Sequence, residues 1–451
     1  MIAPARIAAY EILLAVSTGR SDLPSAFERA RSSLPDDRDR ALATEIATGV
    51  QRWRAALDHL IEHFSKRRLD RLDPEIVEIL RMSAYQLLHL ARVPASAVVN
   101  DAVDLAGRAG KKSAGGLVNA VLRAVSRQRA MLPLPPRPTD RSDRSAALDY
   151  LSVTLSHPRW LTERWYERLG FDTSERWMIF NNTPAFVTLR ANRLMVTRDA
   201  LQRRLADGGI AAAPGRFAPD ALIVTAGHPL REPGSASGLF VVQDEASQLV
   251  SLLAGSTPGP LVLDACASPG GKTTALAARS GAQGRVVACD VRDHRIDVLR
   301  RTVAQARAGN VAIVQADLLA PLPFCAAFDC VLVDAPCSGL GTLRRDPDIR
   351  WRRQESDLAP LAAHQVRMLC HAADVVRPGA RLVYATCSSE PEENEQVVDR
   401  FLHLARGFEA VDARTVHPDL TSTLVDDRGH LRTRPDRHDL EAFFGAVFQR
   451  L

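Results

Sequence analysis

The stretch Leu261-Val262-Leu263-Asp264-Ala265-Cys266-Ala267-Ser268-Pro269-Gly270-Gly271-Lys272-Thr273 reads as an apolar strand, a tight turn and the start of a helix. Proline and paired glycines punctuate the turn, so the strand must end near Asp264. Downstream, further apolar runs predict strands near 286–290, 311–315, 328–333, 381–386 and 443–449, with helices starting near 271, 293, 357 and 393. Strands alternating with helices predict an α/β fold built on a mostly parallel sheet covered on both faces. Ligands of such sheets gather outside the carboxyl ends of the strands. Function should therefore be sought in the turn after each strand.

The glycine turn is not a phosphate loop. That motif needs glycine five positions before the Gly-Lys pair, where this chain has Cys266. The G-x-G-x-x-G dinucleotide fingerprint is missing as well. Instead, aspartates stand at four successive strand ends: Asp264, Asp290, Asp317 and Asp334. One such residue alone reads as turn chemistry. Four around one crevice suit a nucleoside that carries cations and no phosphate, and S-adenosylmethionine, with its sulfonium and amino groups, meets that demand.

Two of the strands also end in cysteine, as Asp334-Ala-Pro336-Cys337-Ser338 and Ala385-Thr386-Cys387-Ser388. Either cysteine by itself reads as a small buried apolar residue. Two at strand ends beside a methyl-donor loop, each followed by serine, suggest chemistry. A thiolate adding to C6 of a pyrimidine makes C5 nucleophilic enough to take a methyl group, which is covalent catalysis. A thiol is only slightly ionised at neutral pH, so nearby positive charge should help it.

The remaining chain sets the context. At 451 residues with 46% hydrophobic and 25% charged content, it predicts two or three domains. Residues 3–128 carry apolar positions at helical spacing and read as an all-α bundle, with Asp73-Pro74 and Pro94-Ala-Ser96 opening helices. Residues 131–148, rich in proline and charge, read as a linker. Residues 149–240 read as a small α+β domain, with helices over 160–169 and 200–207 and strands over 186–190 and 221–225. No apolar run approaches a bilayer span, the seven cysteines form no C-x-x-C pair, and no metal-ligand spacing occurs, so a cytoplasmic, metal-free protein is expected. A monomer is expected too, although the sequence itself is silent on oligomeric state. Lysine occurs only at positions 66, 111, 112 and 272, which sets Lys272 apart in the glycine turn. The net charge of +5 permits nucleic acid. Basic clusters lie at 66–71, 111–112, 123–129 and 344–353, and the last contains Trp351, which could stack on a base.

Asp264-Ala-Cys-Ala-Ser-Pro-Gly-Gly-Lys272, Asp334-Ala-Pro-Cys-Ser338, Ala385-Thr-Cys-Ser388, Arg344-Arg-Asp-Pro347-Asp-Ile-Arg350-Trp351 and Pro391-Glu-Glu-Asn394 resemble the RNA 5-methylcytosine methyltransferases of the Sun/Fmu family. Residues 3–128 are similar to the antitermination factor NusB, a fusion that marks the bacterial rRNA branch. The resemblance implies a NusB-like helical RNA-binding domain over 1–130, a linker over 131–148, a linking α+β domain over 149–240 and a Rossmann-like class I methyltransferase domain over 241–451. It implies methylation of C5 of cytosine 967 in 16S rRNA, single-stranded or flipped out of its helix. Cys387 would be the nucleophile, Cys337 would assist breakdown of the adduct, and Asp334 would face the base and the methyl end of the cofactor. Cys266, Ala267, Ser268, Pro269, Gly270, Gly271 and Lys272 would wrap the methionine part of S-adenosylmethionine, Asp290 the ribose and Asp317 the adenine side. DNA cytosine methyltransferases place the nucleophile in the Pro-Cys motif, so Cys387 separates the two classes. Ser268, where the family usually has alanine, and Leu440-Glu441-Ala442, where it has an Asp-Gly run, depart from the pattern. The same chemistry on tRNA or another rRNA site, and a non-catalytic RNA-binding role, are the alternatives.

Overall fold

A computed structural model describes residues 2–231, 238–255 and 259–451. The chain forms two compact units: Met1–Thr183 with Leu343–Arg353, and Pro184–Thr342 with Gln354–Leu451.

The first unit is helical, as the 3–128 periodicity predicts: α1 (Pro4–Ser17), α2 (Leu23–Arg31), α3 (Asp37–Ser65), α4 (Pro74–His89), α5 (Ala95–Arg108) and α6 (Gly115–Arg127). The apolar stripes meet in one core that includes Leu13, Ile46, Leu57, Leu80, Leu105 and Leu122. Asp22 caps α2 by accepting the Ser25 N–H at 2.8 Å. Asp73 does precede Pro74 at the start of α4, but its carboxylate pairs with Lys111 at 3.0 Å and caps nothing. The same unit holds α7 (Arg144–Asp149), α8 (Arg159–Leu169) and α9 (Phe171–Asn182). Helix α7 begins inside the stretch that reads as linker, because Asp143 accepts the Ala146 N–H at 3.0 Å and closes a first turn. Residues 132–138, the proline-rich part, have no regular structure.

The second unit carries two sheets. The smaller runs β2-β3-β1-β4, from β1 (Thr188–Ala191), β2 (Ala211–Pro214), β3 (Ala221–Ala226) and β4 (Phe240–Val242), all pairs antiparallel. Helix α10 (Arg198–Asp207) packs Leu201 and Leu205 against Leu189 and Leu222 of this sheet. Strands β2 and β4 were not expected: Ala-Ala-Ala-Pro has no alternation to read, and three residues make too short a run.

The larger sheet follows the strand–helix alternation. Its elements are α11 (Glu245–Val250), β5 (Leu261–Asp264), α12 (Gly271–Ser280), β6 (Arg285–Asp290), α13 (Asp293–Gln305), β7 (Val311–Gln315) and β8 (Phe328–Asp334). After α14 (Ile349–Arg352), which belongs to the first unit, come α15 (Leu358–Val375), β9 (Val376–Thr386), α16 (Glu395–Leu404), β10 (Phe408–Val411), β11 (Leu431–Arg432), α17 (Pro435–His438) and β12 (Phe444–Arg450). The order is β10-β12-β9-β8-β5-β6-β7, with β11 on β12. Strands β7, β6, β5, β8 and β9 are parallel, and β12 lies antiparallel on β9. Leu263, Val331, Val333, Leu382 and Tyr384 feed the core on one face. Val262, Leu332, Val383 and Ala385 feed the core on the other. Both faces are covered, which is why these strands read as unbroken apolar runs. Emptying one such position, as in Leu332→Ala, removes contacts worth about 2–5 kcal/mol.

Leu343–Arg353 corrects one expectation. In the first unit, Arg350 is fully buried, and its guanidinium donates to Ser156 O and Asn182 Oδ1, both at 3.0 Å, and to Leu343 O at 3.2 Å. Trp351 donates its indole N–H to Gln51 O at 2.6 Å, and Arg54 covers its ring at 5.6 Å. Arg344 lies over Phe180 at 4.4 Å, and Arg352 pairs with Asp348 at 2.9 Å. Within the cluster that looked like a base-stacking RNA contact, Arg350 and Trp351 form an internal plug, whereas the Arg352 side chain stays 44% exposed.

Arg350 is a cation held by neutral carbonyl oxygens, and burial, with Arg52 adding to it, pulls it down to about 9. Truncation strands several acceptors and opens a cavity. Arg350→Ala is expected to lower stability by about 3–5 kcal/mol in urea unfolding followed by far-UV circular dichroism. A loss below about 1 kcal/mol would contradict this account.

Candidate active site

Parallel pairing brings the carboxyl ends of β5, β6, β8 and β9 to one edge of the larger sheet. Asp264 is opposite Leu332 across β5–β8, and Asp334 is opposite Ala385 across β8–β9. The turns beyond them carry the glycines and both thiols.

The glycine turn is drawn tight by its own backbone. Ala267 N–H donates to Cys289 O at 2.8 Å, and Gly270 N–H to Ala267 O at 2.7 Å. Gly270 has φ +104°, and a Cβ there would sit 3.0 Å from Leu299 and Thr302, so both conformation and space demand glycine. The Ser268–Pro269 bond is cis. The turn delivers Gly271, Lys272 and Thr273 as the first turn of α12, whose leading N–H groups have no partner within the helix. Ser268 N–H donates to Asp290 at 3.1 Å, and Ser268 O accepts from Arg295 at 2.9 Å. Arg295 also pairs with Asp290 at 3.3 Å. Asp290 is thus locked to the turn, 22 residues after Ser268.

Lys272 reaches across to Asp334 at 2.7 Å and lies 5.6 Å from the Phe443 ring centre. Burial opposes its charge, but Asp334 outweighs burial and raises its pKa, with smaller help from Cys387 and Asp264. Asp264 is wholly buried. One of its oxygens accepts the Thr273 hydroxyl at 2.7 Å, and the other has no hydrogen-bond partner among the described residues. Burial pushes its carboxyl up to about 7; the Thr273 hydrogen bond opposes this, and Asp334 and Asp290 add to it. The Cys266 thiol is raised well above its ordinary value by burial and then by the same carboxylates.

Cys337 Sγ and Cys387 Sγ are 3.3 Å apart. Both are partly exposed. Cys337 is held far up by its hydrogen bond with Cys387 and by burial, with the charges of Cys387 and Glu393 adding to these. The 387 turn is pinned by Gly341, whose N–H donates to Cys387 O at 2.9 Å. A Cβ on Gly341 would stand 2.0 Å from Ala442 O and 2.7 Å from Cys387 O, so no other residue fits.

Of the residues singled out from the sequence, Cys266 to Lys272, Asp290, Asp334, Cys337 and Cys387 therefore share this edge of the sheet. Asp317 comes just after β7 and is exposed, and its carboxylate accepts the Leu319 N–H at 2.9 Å in its own turn. Sequence reading missed Arg190. This residue of β1 is wholly buried against α12, where it donates to Gly271 O, to Gln243 Oε1 and, at 2.6 Å, to Thr274 Oγ1. Burial lowers it to about 10. An arginine at the end of a short strand carries no sequence mark of burial. Glu393 was noticed only as part of Pro391-Glu-Glu-Asn394, and nothing in the sequence hints that it is buried between the two cysteine turns.

Family models match three parts of the chain: NusB over residues 3–127, an RsmF/B-like methyltransferase ferredoxin-like domain over 157–231, and the 16S rRNA methyltransferase RsmB/F over 252–449. A probable ribosomal RNA small subunit methyltransferase B from Synechocystis is 33% identical, with 99% of each chain aligned. The chain belongs to the RsmB/F family of 16S rRNA methyltransferases. The Pseudomonas putida ribosomal RNA small subunit methyltransferase B is likewise 33% identical, over 94% of this chain and 96% of its own. Among solved structures, PH0851 superposes with a TM-score of 0.80 at 24% identity, over 100% of this chain and 99% of that one. A methyltransferase homologue from Pyrococcus horikoshii gives 0.57 at 26% identity, over 68% and 99%. Among the described residues, no helix is long and apolar enough to cross a membrane.

The raised Asp264 has a measurable consequence. Because the folded state holds its proton to about pH 7 while an unfolded aspartate loses it near 3.8, the folded state binds more protons between those values. The Asp264 contribution to stability should therefore fall as pH rises from 3.8 towards 7, and then level off. In thermal melts of the ligand-free protein, Asp264→Asn should flatten the decline between pH 5 and pH 8. An unchanged slope would mean that Asp264 titrates normally.

Proposed function

We propose that this methyltransferase modifies C5 of a cytosine in 16S rRNA, at position 967, through a covalent bond between Cys387 and C6. The observation that carries the reading is the pair of sulfurs at 3.3 Å, at the ends of adjacent parallel strands and beside the Lys272–Asp334 pair.

S-adenosylmethionine is the methyl donor, and when bound it supplies an electrophilic methyl group on a sulfonium. The residues at the strand ends fit it. Lys272 is the cation of the glycine turn and is already neutralised by Asp334, so the crevice stays acidic towards a positively charged ligand. The unpartnered oxygen of Asp264 is a buried acceptor awaiting a donor. Cys266 to Lys272 would hold the methionine part, Asp290 the ribose and Asp317 the adenine side, with Asp334 turned to the methyl end and the base. The helical region 1–130 would carry RNA, and 241–451 the chemistry, joined through 131–148 and 149–240.

Cys387 would act first. The Cys387 sulfur lies within electrostatic reach of Lys272. Addition of that sulfur to C6 pushes electron density to C5, the carbon to be methylated. Once C5 is substituted, its proton must leave so that the C6–S bond can break. Cys337, protonated and 3.3 Å from Cys387, would pass its thiol proton to the departing Cys387 sulfur and take up the C5 proton in its place. It is also a poor competitor for the attack. Attack comes from above the ring plane, so the target base must be unstacked.

The two thiols separate in a simple assay with S-adenosylmethionine and 16S rRNA. Cys387→Ala should give neither methylation nor adduct. Cys337→Ala should lose turnover yet leave a protein–RNA adduct on a denaturing gel. Adduct with the Cys387 variant in place of the Cys337 variant would reverse the roles, and bisulfite sequencing reads out which cytosine is modified.

A further inference from the structure

Each cysteine of the pair is followed by a serine, and both serines end on the same carboxylate. Glu393 is fully buried. Its Oε1 accepts the Ser338 N–H at 2.8 Å and the Gln365 amide at 3.0 Å, while its Oε2 accepts the Ser388 hydroxyl at 2.6 Å. The two serine hydroxyls meet at 3.1 Å. Around this centre, Gln365 donates to Pro336 O at 3.0 Å, and the Tyr384 hydroxyl bonds both Gln365 Oε1 and Glu393 O. Asn394 holds Ser388 O at 3.0 Å and accepts the Thr386 hydroxyl at 2.6 Å.

No lysine or arginine lies within ion-pair distance of Glu393 among the described residues. Burying a carboxylate without a cation is costly, and an apolar side chain would fill the space at less expense. What a carboxyl group offers instead is two oxygens that accept several short hydrogen bonds at once. Here those bonds run to two turns that no strand pairing joins beyond Asp334 and Ala385. Without them, the tie between the two turns would rest on the Gly341 N–H to Cys387 O bond and the contact of the two serine hydroxyls.

We infer that Glu393 is a positioning residue, which sets the spacing of Cys337 and Cys387 by gripping the serine after each. The inference deepens the proposed reaction and rests on it for its kinetic consequence, but the spacing itself can be measured without any substrate. Misplacing reacting groups by about 1 Å costs about 100-fold in rate. Glutamine at 393 keeps the oxygen that serves Ser338 and Gln365 and offers an amide to the Ser388 oxygen, so it should preserve the grip. Alanine should not.

The experiment uses the full chain. Diamide takes the two thiol hydrogens as Cys337 and Cys387 join in a disulfide, itself becoming the hydrazine, and peptide mass spectrometry times the cross-link. Methylation kinetics are measured in parallel. Glu393→Ala should slow the cross-link at least tenfold and lower kcat about 100-fold, with KM for S-adenosylmethionine within twofold of the parent. Glu393→Gln should restore both rates to within about fivefold. If Glu393→Ala does not fold, Ser388→Ala, which cuts only the arm to the 387 turn, is read in its place for the same two losses. Parent-like cross-linking in a folded Ala variant overturns the inference, and so does a loss confined to cofactor KM. An inactive parent chain that still cross-links rapidly would instead refute the proposed reaction and leave the positioning role standing.

Discussion

Parallel pairing of β8 between β5 and β9 is the constraint on which the site depends. Three strands running the same way must finish on the same edge, so the turns at their ends are gathered without further design. The register then does finer work. With Asp334 opposite Ala385, the cysteines three and two residues later come within 3.3 Å. A slip of one residue would exchange the buried faces of a strand whose alternate side chains enter two different cores. The apolar cores therefore protect the spacing of two sulfurs that lie outside them.

Charge is distributed unevenly about that edge. Three aspartates, Asp264, Asp290 and Asp334, stand at it, and the cation of the glycine turn is spent on one of them. Behind the turn, Arg190 sits near the N-terminus of α12, where a positive charge is unfavourable to the helix dipole. The Gly271 carbonyl and the Thr274 hydroxyl offset this by accepting from it, and Gln243 fills the remaining direction. The small antiparallel sheet thus braces the glycine turn through one side chain of β1. Its neighbour Asn192 does the same at the far end of α13, where its amide donates to Ala306 O at 2.9 Å.

Much of this was legible in the chain. Strands β5, β6, β7 and β8 fall within a residue of the apolar runs that announce them, and in the central pair β5 and β8 burial on both faces leaves few polar interruptions to blur those limits. Cys337, Cys387 and the glycine turn stood out because turn residues and thiols at strand ends are uncommon in combination. The reading faltered where a local signal was used for a distant purpose. Arg350 and Trp351 have the composition of a nucleic-acid contact, yet carbonyls from residues 52, 156, 181 and 343 surround the one, and Gln51 takes the indole of the other. Glu393 comes after another glutamate in a polar run that reads as surface. Its burial depends on Ser338, 55 residues earlier, and no periodicity records that.

The plug formed by Leu343–Arg353 bears on how this molecule can be taken apart. The helical unit is discontinuous: its polypeptide leaves at Thr183 and an eleven-residue piece returns from the middle of the other unit. A gene cut after codon 183 would encode bundle and helices but leave the lining of the Arg350 niche facing water. The natural dissection is not between two halves. It is a fragment and a short peptide supplied in trans, and any shuffling of this module into another chain must carry both.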